Sequence, residues 1–196
     1  YQIPYFLDQT KDVLFHPFIE FVRACIEVIR SDFSYNSMLR LLRTGYCGIT
    51  QEEIDKLENY LLATGIRGRK NWSKRWIRMP KNEKAYDLEA LEALRQKLMM
   101  DLAPLVEVFI EKQTKVTSMI QGLYNYMVAL EVEQQLYKKE KALLAAGEQT
   151  KSKEYGQIYR IVMDLFDKCV SVLGNETLSI RELEEILDAG FDAAKV

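Results

Sequence analysis

Arg67, Arg69, Lys70, Lys74, Arg75, Arg78 and Lys81 place seven cations in fifteen residues, with no acidic residue among them. Both tryptophans of the chain, Trp72 and Trp76, fall in the same run. Cations at this density neutralise phosphates and release counterions, and an indole stacks on an unpaired base at roughly 1–3 kcal/mol per base. The candidate nucleic-acid contacts are therefore Arg67, Arg69, Lys70, Lys74, Arg75 and Arg78 for phosphates, with Trp72 and Trp76 as stackers or anchors. Outside the run, 20 basic residues face 29 acidic ones, so a net charge of −2 conceals a cationic tract in an acidic body. That asymmetry is the electrostatic footprint of a phosphate-binding surface. A structural reading uses the same residues differently. Two large indoles would pin a long loop to a helical core, with the cations paired to acidic helix surfaces such as Glu52, Asp55 or Glu89.

No other group of residues has the spacing of a catalyst. His16 stands alone before Pro17 and reads as a capping or packing residue. Carboxylate pairs such as Glu52-Glu53 and Glu184-Glu185 sit in helical segments with capping or solvated roles, and no acid/base pair is assigned. Phosphate-loop, dinucleotide, nucleophile-elbow and zincin patterns are all missing. Cys25, Cys47 and Cys169 are odd in number and widely spaced. A reducing compartment is expected, with neither a disulfide framework nor a zinc site. No apolar run approaches the ~20 residues that span a bilayer. Tyr1 in place of a methionine, with no signal-peptide pattern after it, reads as an excerpt or a processed piece.

The elements that must carry the tract are helices. In 196 residues, 48% apolar and 29% charged, four prolines and nine glycines interrupt long periodic segments. The spacing predicts a helix from Pro17 with Phe18, Val22, Cys25 and Ile29 on one face, and Glu20, Arg23, Glu27 and Arg30 pairing along the other. A second runs from Tyr35 to Thr44, between the cap Ser34 and the stop Gly45. The capping box at Thr50–Glu53 opens a third, which Gly65 ends. A long helix follows from about Asp87 on the stripe Leu91, Leu94, Leu98, Leu105 and Phe109, with a kink or break at Pro104. Val116 to Leu130 forms the next, with a break near Val132, then a loop over residues 147–152. Tyr155 to Val172 gives another helix stopped by Gly174, and the box at Ser179–Glu182 opens a last one that Gly190 closes. Tyr124, Tyr126, Tyr155 and Tyr159 are core or boundary residues, and Met99-Met100 core filler. The fold class is all-α: one compact bundle of about eight helices over residues 1–196. A short extended segment (1–10) opens it, a basic loop occupies 65–82, and 190–196 lead out.

Several ordered stretches resemble a known family. Ile3-Pro4-Tyr5-Phe6-Leu7-Asp8, the run from Val13 to Arg23, the run from Asp55 to Gly68 and the closing Leu178 to Phe191 look like the B subunit of the bacterial AddAB helicase–nuclease, called RexB in some lineages. The resemblance implies a place in a complex that processes double-strand DNA ends for recombinational repair, using ATP, a divalent metal and a 4Fe-4S cluster. It implies a position like the helical insertion, subdomain 2B, of superfamily 1 helicases, with residues 1–10 leaving the second RecA-like lobe and 190–196 returning to it. The expected partners are DNA, an AddA-type subunit and the rest of the B subunit, in the cytoplasm and away from membranes. No cofactor is expected in this segment: the cysteines lack the cluster's spacing, and the nucleotide and nuclease motifs lie outside it. The alternative is a scaffold element that docks on the partner subunit.

Overall fold

In the computed structural model, residues 13–81 and 85–194 are described; the extended segment expected over 1–10 lies outside them. After a 3₁₀ turn at Val13–Phe15 the chain enters α1 (Pro17–Arg30). His16 caps it: its Nδ1 accepts from the Phe18 amide at 3.1 Å. Eight of the fourteen residues of α1 are buried, Ile19, Phe21, Ala24, Ile26 and Val28 among them, so its buried surface is wider than the single expected face. Its charges pair with other helices rather than along itself. Arg40 of α2 (Tyr35–Arg43) reaches Glu20 and Glu27, while Arg23 and Arg30 reach Asp188 and Glu184 of α9 (Ile180–Ala193).

The capping box at Thr50 opens α3 (Gln51–Thr64), and Gly65, at φ +68°, closes it in the left-handed conformation that glycine tolerates. A single helical turn, α4 (Arg69–Trp72), lies inside the basic run. Next, α5 (Leu88–Val108) continues through Pro104 without the expected break. The carbonyl that the proline leaves unbonded belongs to Met100, which is exposed, so water can serve it. That exposure also corrects the reading of Met100 as core filler, whereas Met99 is half-buried.

Strand β1 (Thr114–Lys115) pairs antiparallel with β2 (Thr177–Leu178), tying the entry of α6 (Val116–Ala129) to that of α9. Gly122 of α6 meets the Pro104 turn, where a Cβ would stand 2.9 Å from Val108 Cγ2. Glu131, at φ +53°, makes the break before α7 (Val132–Ala145). The loop expected over 147–152 shrinks, because α8 (Gln149–Leu173) starts earlier. Ser152 is buried inside it, donating to the Glu140 carbonyl at 3.1 Å. Nor does Gly190 end α9, which runs on to Ala193. A Cβ at Gly190 would stand 2.4 Å from Leu165 Cδ1, so this glycine serves close packing on α8. One continuous apolar cluster joins residues from α1 to α9. The fold is thus the expected all-α bundle, with nine α-helices and a two-strand ladder among the described residues.

Candidate nucleic-acid interface

The basic run has little regular structure, yet its backbone is held on three sides. Gly68 donates its amide to the Phe33 carbonyl at 3.0 Å, at the turn between α1 and α2. Its φ of +85° and the Asp32 carboxylate, 3.5 Å from where a Cβ would sit, both favour glycine there. From α3, the Tyr60 hydroxyl donates to the Arg78 carbonyl at 2.8 Å. From α5 come Glu92 and Arg95. The Arg95 guanidinium donates to the Trp72 carbonyl at 2.8 Å, and the Glu92 carboxylate accepts the Trp76 amide at 3.1 Å. These side chains satisfy backbone groups that an irregular segment would otherwise leave unpaired.

Glu92 and Arg95 also grip each other through two bonds of 2.8 and 2.6 Å, and both are buried. Gln96 adds a third donor to the carboxylate at 3.1 Å. The arginine, together with the Trp76 amide, overcomes the penalty of burial and holds the Glu92 carboxyl down at about 2. This pair is absent from the residues singled out in the sequence, although one sign of it was there. Leu91, Arg95, Leu98, Leu102 and Leu105 follow one helical stripe, so Arg95 is a cation in register with an apolar face.

The two indoles are 1% and 5% exposed. Trp72 and Trp76 meet edge to face at 5.0 Å, and Trp76 lies 5.5 Å from Tyr60. Trp76 also donates from Nε1 to the Asn71 carbonyl at 3.2 Å. The stacking role offered for Trp72 and Trp76 is corrected by this burial: no ring face is open to a base, and the tryptophans anchor the segment. Each indole removes roughly 150–250 Å² from water, a gross gain of about 4–6 kcal/mol.

The cations point the other way. Arg67, Lys70, Lys74, Arg75 and Arg78 are exposed, and Arg69 is half-buried. Among the described residues none of these six forms an ion pair. Arg78 donates to the Thr64 carbonyl at 3.2 Å, a neutral partner. Of the acids suggested as partners, Glu52 pairs with Lys56 instead, and Asp55 accepts from Gln51. Elsewhere Arg23, Arg30, Arg40, Arg43 and Arg95 all meet carboxylates. Ile77 and Met79, 79% and 50% exposed, stand among the unmatched cations.

Among the described residues, no group of three His, Cys, Asp or Glu side chains is placed to hold a metal ion. Burial pushes the Cys25 thiol up and the Cys47 thiol up to about 11, and Cys47 lies against the Tyr126 hydroxyl at 3.7 Å. Burial lowers His16 to about 4, which leaves it neutral as a cap. No helix among the described residues is long and apolar enough to cross a membrane.

No protein-family model matches the chain. Curated relatives do. It is 36% identical over 99% of its length to the B subunit of the ATP-dependent helicase/deoxyribonuclease of Lachnoclostridium phytofermentans. It is 33% and 32% identical, over all of its length, to proteins of the same name from Clostridium novyi and Acetivibrio thermocellus. The chain spans only 17% of the length of the first two and 18% of the third. From end to end, then, it is homologous to one segment of the family of bacterial ATP-dependent helicase/deoxyribonuclease B subunits.

Proposed function

We propose that this chain is a non-catalytic helical insertion of an AddB-type subunit, comparable to subdomain 2B of superfamily 1 helicases, and that residues 65–82 contact the DNA backbone. The observation that carries it is a set of six cations without an ion-pair partner among the described residues, on a segment whose backbone is fixed by Tyr60, Glu92, Arg95 and two buried indoles. A rigid display costs little entropy on binding, which favours phosphate contact. With the indoles enclosed, the contact is to phosphate and carries no base preference. On this reading the ATP, divalent metal and iron–sulfur cluster of the parent complex are held outside this segment, and the complex works in the cytoplasm.

The test is DNA binding by the chain as a function of salt. Each phosphate contact contributes about −0.9 to the log–log slope on duplex DNA. Replacing Lys74 and Arg75 with alanine is expected to reduce the slope by about 2 and weaken all sequences alike. An unchanged slope would remove the DNA contact from the proposal. A second reading has its own observation in Ile77 and Met79, whose exposed apolar atoms phosphates do not use. There the tract docks on an acidic surface of an AddA-type partner subunit or of the rest of the B subunit. Crosslinks from Lys70 or Lys74 in the assembled complex separate the two: protein-only products favour docking, DNA products favour backbone contact.

A further inference from the structure

Ile77 and Met79 are the large apolar side chains that the basic run leaves in water, Ile77 the more exposed of the two. Ile77 is not loosely held. The peptide groups on both sides of it are bonded, the Trp76 amide to Glu92 and the Arg78 carbonyl to the Tyr60 hydroxyl. Branching at Cβ leaves this side chain few rotamers to lose when something covers it. Beside it lies a hollow of about 390 Å³ between the run and the first turns of α5. Ile77, Leu88, Ala93 and Trp76 supply its apolar lining. Arg75 borders it from the run and Glu89 from α5, while the charge of Glu92 is met by Arg95.

Whatever covers this surface meets apolar atoms at Ile77 and cations at Arg75 and Arg78. A nucleotide of an unpaired strand carries both complements, an open base face and a phosphate. In closed duplex the base faces are stacked on one another, and unstacking them costs free energy that one isoleucine does not return. Glu89 repels a phosphate from the α5 side of the hollow and tolerates a neutral base there. From Arg75 to Arg78 the chain spans at most about 11 Å, the rise of about three nucleotides. Phosphates on either side of one base are thus within reach of the two guanidinium groups. We propose that Ile77, supported by Met79, packs against the face of an unpaired base in a DNA strand whose phosphates Arg75 and Arg78 hold. This rests on the DNA reading of residues 65–82 and sharpens it: the cations accept either form of DNA, and Ile77 distinguishes unpaired from paired.

The probes are a labelled oligothymidylate, a strand of equal length made of abasic sites, and a closed hairpin duplex, each titrated with the chain. Ile77→Ser should weaken the oligothymidylate roughly fivefold, with its salt slope unchanged, and leave the abasic strand and the hairpin within about twofold. The melting temperature should not move, because the side chain is exposed. Ile77→Phe, with a flat ring for the base to stack on, should tighten the oligothymidylate about threefold. An equal loss on the abasic strand, or no loss on any strand, would overturn the proposal. Were Ile77→Ser to spare DNA and weaken association with an AddA-type subunit, the surface would belong to a protein and the base contact would fall. The salt slope keeps the two levels apart. A slope indifferent to loss of Lys74 and Arg75 removes the DNA reading as a whole, whereas a reduced slope with a silent Ile77→Ser removes the base contact alone.

Discussion

Residues 65–81 and the tip of the α7–α8 hairpin reverse the usual association of regular structure with firm anchoring. The first region has one helical turn and is otherwise irregular, yet it sends two tryptophans into the core and is bonded by Phe33, Tyr60, Glu92 and Arg95. The second is two helices joined by a short turn over 146–148, yet α7 buries only Val132 and Leu136, both in its first half. Toward its end Leu144 is 51% exposed. Intrahelical hydrogen bonds shape a segment; apolar burial and long-range polar partners fix it to a body. The irregular segment is therefore the firmly seated one, and the hairpin tip is held to the body by fewer apolar contacts.

The largest effect expected from this contrast is at Trp72. Trp72→Ala should cost about 3–5 kcal/mol in a thermal or denaturant melt. A loss below about 1 kcal/mol would mean that the indole does not anchor the loop. Arg95→Ala is next, at about 3 kcal/mol, since it strands the Glu92 carboxylate and frees the Trp72 carbonyl. Combining Glu92→Met with Arg95→Met should cost less than either single change does, because no buried charge is left unpaired.

Acid titration sharpens the same point. The Glu92 carboxyl is lowered to about 2 from 4.5 in the folded chain. Its stabilisation is complete above 4.5 and is lost as pH falls from 4.5 toward 2, by up to roughly 3 kcal/mol. His16, lowered to about 4 from 6.5, acts at higher pH. Between 6.5 and 4 the unfolded chain takes up its proton first, so stability declines as pH falls through that window. His16→Asn keeps a capping side chain and should abolish the upper decline, while Glu92→Gln should abolish the lower one. Stability profiles measured from about pH 8 to about pH 2 distinguish the two. The smallest effect belongs to the hairpin: Leu144→Ala should shift stability by no more than about 0.5 kcal/mol. A loss above about 2 kcal/mol there would undo the contrast.

Much of the fold was legible because helix ends are written locally. The boxes at Thr50 and Ser179, the stop at Gly65 and the break before Val132 depend on residues within a few positions of one another. Gly190 as a helix stop and Pro104 as a helix break misled for the converse reason. Their local preferences were outweighed by Leu165 packing on a helix that continues and by the exposure of Met100, whose carbonyl lies one turn before the proline. The candidate site was half legible. The charge of the tract was plain, but its seat was hidden, since Glu92 and Arg95, three residues apart, also match a solvated surface pair.

Composition and short-range spacing determined that this chain would be helical, where most helices begin and end, and that one stretch would carry excess positive charge. These follow from interactions between residues about four positions apart or fewer. Only the tertiary structure decided that the tryptophans turn inward while most of the cations face outward. That partition depends on Tyr60, Glu92 and Arg95, which lie 16 to 23 positions away from the backbone groups they hold. No local pattern encodes which distant side chains will meet a loop, because the meeting is set by how the helices pack.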